Sequence, residues 1–243
     1  PATVEPRPNG PLFVRGALDH KDLTDRFEAV GFETKKRIRG IGIGLSFEKR
    51  DKFLGGGYTS ANALLYRGDL DIKDATSEAF DNPPFGYDTE GSFGKFTLQA
   101  ARLQSLAPRF SLFIGTGMQR ASKNLDAYEK LSLGGPKAVR AYATGELLVD
   151  DGWLATLELR FSATPETTLF GFYDAAHGDY FHDPRPFDLF TSRSLRGYGL
   201  GVNWSKPGKV SMNFTVAWRG TEAGMTDGGD RNPRLFWSIQ KAF

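Results

Sequence analysis

One arginine and one acid carry most of the chemical information in this chain. Arg140 lies in Leu131-Ser-Leu-Gly-Gly-Pro-Lys-Ala-Val-Arg-Ala-Tyr142, where Gly134, Gly135 and a proline lead into an arginine flanked by Val139 and Tyr142. Asp174 closes a strand-like run, Leu169-Phe-Gly-Phe-Tyr-Asp174, that also contains Phe172. The chemistry such a pair offers is attachment. A guanidinium fork meeting a carboxylate makes directional, charge-assisted hydrogen bonds. No serine, histidine and acid constellation accompanies the pair, so an enzyme is not expected and no cofactor is implied.

The elements that must position the two residues read as strands. Val210, Met212, Phe214, Val216 and Trp218 alternate with Ser211, Asn213, Thr215, Ala217 and Arg219. Trp153, Ala155, Leu157, Leu159 and Phe161 alternate with Leu154, Thr156, Glu158, Arg160 and Ser162. Similar alternation runs through Tyr198–Trp204, Phe110–Gln119 and Ile41–Glu48, with glycine on the polar face. Strict alternation is the signature of a strand with two unlike faces. The runs are about nine to eleven residues long, the length a tilted strand needs to cross a bilayer. A soluble barrel would need bulk on its inner face; here the apolar residues point outward and the small ones inward. Trp153, Trp204, Trp218 and Trp237 suit an interfacial girdle. The alternative is a large soluble sandwich or lipocalin-like barrel, whose strands more often span about five or six residues.

Composition fits this picture. Hydrophobic residues make up 40% and charged residues 25% of 243, with a net charge of +2. A barrel exposes only one side of each strand to lipid, so it needs no higher apolar content. No run of about 18 apolar residues exists, which excludes a transmembrane helix. The balanced charge argues against nucleic acid as a partner. Without cysteine there is neither a disulfide nor a thiolate metal site. The chain begins at Pro1 without methionine or signal peptide, so either processing removed them or it is a fragment.

Counting back from Phe243 gives about eleven strands. Residues 1–10 read as irregular, 11–243 as barrel, and 134–152 as a loop folded into the lumen. Short links at Ala163–Thr167 and Ser205–Lys209 suit periplasmic turns; long ones at Gly134–Gly152, His177–Arg193 and Gly220–Arg234 suit extracellular loops. Upstream the sidedness fails: the long link Gly68–Gly91 falls on the periplasmic side. Either one strand near Lys123–Gly134 is miscounted, or the loops break the rule. An odd count also leaves an open edge in lipid, which is resolved if N-terminal strands lie outside this chain. Leu235, Trp237, Ile239 and Phe243 alternate to a C-terminal aromatic, a common close for outer-membrane barrels, with Lys241 interrupting the outward face.

At this point the residues resemble a family. Glu129–Tyr142, Gly145-Glu146 and Gly152–Arg160 are similar to the TpsB transporters of two-partner secretion, the hemolysin secretion/activation proteins. Phe170-Gly-Phe-Tyr-Asp-Ala175 looks like the family's second barrel motif, and Arg193–Ser205 and the closing residues to Phe243 also match. The family loop usually reads Val-Arg-Gly-Tyr; Ala141 replaces the glycine. If that position requires positive φ, the alanine costs roughly 1 kcal/mol.

The resemblance implies a sixteen-stranded outer-membrane barrel preceded by a plug helix and two POTRA domains. It implies translocation of a partner exoprotein of the TpsA type, a hemolysin or adhesin. Outer-membrane lipid and the barrel assembly machinery would be further partners. It also implies that the arginine loop folds back to meet the strand acid. On alternation, Asp174 and Phe172 face the lumen if Tyr173 faces lipid. Glu158 and Arg160 on the neighbouring strand would extend the network or simply line a wet lumen. A barrel-assembly insertase and a passive porin are the competing functions. Gly40-Ile-Gly-Ile-Gly44 lacks the strand–turn–helix context of a nucleotide loop. His20, His177 and His182 are too scattered for a metal site.

Overall fold

A computed structural model describes residues 10–28, 31–220, 223–226 and 231–241. The expected irregular start and Phe243 lie almost entirely or entirely outside these residues. Ten strands form one antiparallel meander: β1 (Leu12–Phe27), β2 (Phe32–Asp51), β3 (Gly57–Ile72), β4 (Gly91–Ala107), β5 (Phe110–Ala121), β8 (Asp151–Ser162), β9 (Thr167–Asp179), β10 (Ser192–Lys206), β11 (Val210–Arg219) and β12 (Arg234–Lys241). Two short strands, β6 (Leu131–Ser132) and β7 (Leu148–Val149), pair with each other inside the long β5–β8 connection. No helix among the described residues is long and apolar enough to cross a membrane; the seven-residue α1 (Ala75–Asp81) is capped by Asp74, which accepts from the Ser77 N–H.

Among the described residues the main sheet thus has ten strands, against the about eleven that alternation gives. Of the two explanations, a miscount near Lys123–Gly134 fits: that stretch pairs with no wall strand, β5 pairs directly with β8, and Leu125 packs on the inner wall. Removing that strand restores the sidedness. The links β3–β4, β5–β8, β9–β10 and β11–β12 are long and share one end; β2–β3, β4–β5, β8–β9 and β10–β11 are short and share the other. Long links mark the extracellular end of an outer-membrane barrel. The β1–β2 turn falls on that end although it is short, because both strands run well past their neighbours.

The pleat separates two chemistries. Ile41, Ile43, Leu65, Ile114, Leu157, Leu159, Tyr173, Leu200 and Phe214 are exposed on the outer face. In register, Ile114 pairs with Leu157 and Leu157 with Tyr173, so the apolar stripe is continuous across strands. Exposed apolar surface on this scale is stable only against lipid. Several strands exceed the expected nine to eleven residues; β2 has 20. Their excess projects beyond the belt, where the outward residues are charged: Asp22 faces Arg37, and Arg37 faces Asp71.

The inner face is not hollow. Rings lie over glycines of the adjacent strand: Phe172 over Gly199, Phe170 over Gly201, Phe93 over Gly68 and Tyr66 over Gly40. Two buried clusters rise from this wall. Loop residues Leu133, Val139, Ala141, Tyr142, Leu147 and Val149 pack on Phe170, Phe172, Ala176, Leu195 and Ala217. Leu125 packs on Ile38, Tyr66, Leu70 and Phe93. The core of the chain is therefore the seam between the wall and the loop it surrounds.

An arginine in the middle of the lipid stripe should be poorly tolerated. Leu157→Arg is expected to lower the unfolding free energy by about 2–4 kcal/mol, while Gln99→Arg, on the inner face, should lie within about 1 kcal/mol of wild type. Denaturant titration of the refolded protein in lipid vesicles would measure both; equal costs would contradict the assigned faces.

A loop latched to the barrel wall as candidate functional site

The β5–β8 connection builds its own scaffold before it touches the wall. The Leu133 N–H donates to the Leu147 carbonyl at 2.9 Å, extending the β6–β7 ribbon. The Val139 N–H donates to the Leu133 carbonyl at 3.2 Å and the Tyr142 N–H to the Val139 carbonyl at 3.1 Å, which curls the tip. Gly135 has φ +106°, a conformation that favours glycine, and a Cβ there would sit 2.7 Å from Thr144 Oγ1. Val139 and Tyr142, on either side of Arg140, are buried. They hold the arginine backbone against the wall before its side chain makes any bond.

Asp174 receives that side chain. Arg140 Nε donates to Oδ2 at 2.8 Å and Nη2 donates to Oδ1 at 2.7 Å, a bidentate fork. The Arg140 backbone N–H adds a third bond to Oδ2 at 3.1 Å, and Thr156 Oγ1 donates to Oδ1 at 2.9 Å. Four donors on one fully buried carboxylate saturate most of its lone pairs. The guanidinium lies 3.5 Å above the centre of the Phe172 ring, a cation–π contact that also excludes water. Its Nη1 is 3.3 Å from Glu158 Oε1, and Arg160 Nη2 is 3.4 Å from Glu158 Oε2. Loop tip, β8 and β9 thus share one network. Glu158 and Arg160, expected as either network or lumen lining, lie within it. Tyr173 is outward and Asp174 inward, as alternation required.

Ala141 resolves differently from the expectation of strain. Its φ is not positive, so the alanine carries no left-handed penalty. Its methyl instead meets Gly197 of β10, where an added Cβ would come within 2.7 Å. The loop accepts a methyl because the wall opposite it is glycine.

Three further attachments were not foreseen. Glu146, buried, accepts from Arg193 Nη1 at 2.8 Å, from the Met225 N–H at 2.7 Å and from Thr226 Oγ1 at 2.6 Å, tying the loop to β10 and to the β11–β12 connection. Glu129 accepts from Lys21 and Lys95, each at 2.7 Å, and Lys36 donates to Asp126 at 2.7 Å. Asp150 is bound by Lys130 at 2.9 Å and by the His182 N–H at 3.0 Å. The available signal was three lysines at inward positions of β1, β2 and β4, since an inward cation needs an inward anion. The histidines occupy separate places: His20 beside Asp22, His177 beside Ser194, His182 beside Asp151.

Electrostatics separate these acids. Burial raises Glu129, but Lys21 and Lys95 outweigh it and hold the carboxyl below its ordinary value. Burial likewise raises Glu146, and Thr226, the Met225 N–H and Arg193 outweigh it. Burial prevails at Asp150, which is pushed up despite Lys130.

Removing one member of the Arg140–Asp174 pair strands a buried charge. Arg140→Ala or Asp174→Asn is expected to destabilise the seated loop by about 3–5 kcal/mol, and Arg140→Lys should recover less than half, having charge but no fork. Protection of loop amides from hydrogen exchange measures this; full recovery by lysine would show that charge alone suffices. Acid should also release the loop. A carboxyl held below its ordinary value stabilises the folded state above that value, and the contribution fades as pH falls through the depressed one. Glu129 and Glu146 therefore keep the loop seated at neutral and mildly acidic pH and let go below the usual carboxylate range, whereas Asp150 opposes them slightly until it protonates. A spin label at Lys137→Cys reads the transition, and release near neutral pH would contradict it.

The comparisons with known proteins agree with this architecture. A family model described as "Haemolysin secretion/activation protein ShlB/FhaC/HecB" matches residues 12–204. The heme/hemopexin transporter protein HuxB of Haemophilus influenzae strain 86-028NP is 27% identical over 217 residues, covering 86% of this chain and 38% of that protein. The chain therefore spans about two-fifths of the length of the curated relatives it matches. CdiB from Escherichia coli superposes with a TM-score of 0.61 at 17% identity, over 94% of this chain and 50% of that one. CdiB from Acinetobacter baumannii gives 0.50 at 13% identity, over 94% and 47%. At such identities the two structures speak for the fold, while the family match covers most of the sequence, including both halves of the latch. The chain belongs to the haemolysin secretion/activation family of outer-membrane β-barrel proteins.

Proposed function

We propose that this chain forms wall and lumen loop of an outer-membrane pore that translocates a secreted partner polypeptide, a TpsA-type exoprotein, in two-partner secretion. Family membership supports a secretion role over a barrel-assembly insertase. The name of the relative HuxB, a heme/hemopexin transporter, is in keeping with transport. The observation that carries the mechanism is the Arg140 fork on buried Asp174, which fixes a folded loop across the inner face.

The loop is ordered by wall contacts on both sides, so its position sets how much lumen a passing chain can use. In this reading Gly134, Gly135, Val139 and Tyr142 shape the tip, Arg140 and Asp174 hold it, Phe172 shields the pair, and Glu158 and Arg160 brace it from β8. No chemical step is required; the residues position a constriction. Outer-membrane lipid surrounds the barrel, and the barrel assembly machinery would insert it, with the C-terminal run to Phe243 as its recognition element.

Secretion assays separate positioning from mere folding. Arg140→Ala is expected to reach wild-type levels in the outer membrane, to show normal heat modifiability, and to secrete about tenfold less partner or lower still. Loss of the folded barrel in that variant would overturn the positioning role and leave a structural ion pair. A large, steady conductance indifferent to any partner polypeptide would overturn the transport reading in favour of a porin.

A further inference from the structure

Four strands carry an exposed arginine at the long-loop edge of the apolar belt. Arg39 of β2, Arg67 of β3, Arg120 of β5 and Arg196 of β10 are all exposed. Each is the first polar outward residue above the apolar belt on the long-loop side, two positions from Ile41, Leu65, Met118 and Tyr198 respectively. Bases higher on the same face are neutralised: Arg37 donates to Asp22 at 2.7 Å, Arg26 to Glu33 at 2.9 Å, and Lys73 to Asp71. The belt-edge arginines are not. Arg39, Arg67 and Arg196 have no carboxylate partner among the described residues, and Arg120 comes only to 3.8 Å from Asp151. Asp69 faces Arg39 in the β2–β3 register, yet its carboxylate accepts from Ser92 Oγ at 3.1 Å.

A cleft of about 770 Å³ opens on the lipid face below Arg67. Val14, Ile41, Ile43 and Leu65 line it, and Gly16 and Gly94 leave its floor without side chains. A Cβ placed on Gly16 would meet nothing within 4 Å, so this glycine is not demanded by packing within the chain. Open apolar space thus sits beside the guanidinium of Arg67, with Arg39 two positions beyond the lining residue Ile41.

We infer that Arg39 and Arg67 bind the phosphate of a phosphorylated glycolipid of the outer leaflet, with one of its acyl chains in the cleft. Guanidinium matches phosphate bidentately, and basic residues at the membrane surface attract anionic headgroups by about 1 kcal/mol each. The cleft, lined by Val14, Ile41, Ile43 and Leu65, supplies the apolar half of the same ligand. Of the four arginines, Arg67 lines the cleft and Arg39 stands two positions from its lining residue Ile41; Arg120 approaches Asp151, and Arg196, on β10, is remote from the cleft and contributes only to the general surface charge. The inference does not depend on what the barrel carries.

Native mass spectrometry of the full-length protein tests it. The protein is exchanged into mixed micelles of dodecyl maltoside with bis-phosphorylated lipid A, its dephosphorylated form, or phosphatidylglycerol. Wild type is expected to retain the bis-phosphorylated glycolipid about fivefold better than either of the others. Arg39→Gln with Arg67→Gln should abolish that preference, whereas Arg196→Gln should keep it. Gly16→Leu, which fills the cleft and leaves both arginines, should lower retention about threefold. Heat modifiability verifies that each variant is folded. Equal retention of the three lipids by wild type would overturn the inference. So would an undiminished preference in the double variant, phosphatidylglycerol held as well as the glycolipid, or a Gly16→Leu protein that retains the lipid as wild type does.

Discussion

A buried carboxylate must be fully satisfied, and that constraint organises this molecule. Asp174 is fully buried on a wall strand, and among the described residues Thr156 is the one donor it receives from the wall. The remaining donors come from one residue of a distant loop, Arg140, through both its side chain and its backbone. Wall and loop are therefore each incomplete without the other. The wall holds an acid it cannot satisfy, and the loop holds an arginine whose flanking residues are apolar enough to need burial. An isolated ion pair of this kind contributes little net stability once desolvation is counted. Its weight lies in direction: a fork and a stacked ring admit one pose.

The other attachments divide the labour. Glu146 with Arg193 fastens the loop toward β10 and the β11–β12 connection, while Glu129 and Asp126 fasten its entry to lysines of β1, β2 and β4. Arg140 lies between these two ends in sequence. The entry and exit of the loop are thus held near opposite parts of the sheet, and the tip is steered to a third. This arrangement permits a tip that changes pose while its ends remain attached, because the three sets of contacts share no side chain.

Much of the architecture was legible in the residues. Alternation located the wall strands because each has one lipid face and one small inner face, and that pattern survives without any knowledge of neighbours. It also placed Asp174 inside by the parity of Tyr173. The pairing of Arg140 with Asp174 came from family resemblance and was then found in the geometry. What alternation could not do was distinguish a wall strand from a loop segment near Lys123–Gly134, where local apolar content is similar but the partner is the inner wall rather than lipid. Nor could it pair Glu146 with Arg193 or Glu129 with Lys21 and Lys95, since these contacts join residues far apart in sequence and depend on how the loop crosses the lumen. The fit of Ala141 was illegible for a related reason: the room for its methyl is made by Gly197, on a strand that no local reading connects to it.

The glycine row of β10 has a consequence for assembly. Gly197, Gly199 and Gly201 present three equivalent hollows along one face, and the rings of β9 occupy the last two. Shifting β9 against β10 by two residues would keep every side chain on its proper face and still offer a hollow to Phe172. Backbone pairing and polarity alone therefore tolerate the slipped hairpin. What breaks the degeneracy is the third hollow, which Ala141 and Val139 fill when the loop is seated. A slip that seats Phe172 at Gly197 and a docked loop therefore compete for the same hollow, so the seated loop disfavours that misalignment of the β9–β10 hairpin.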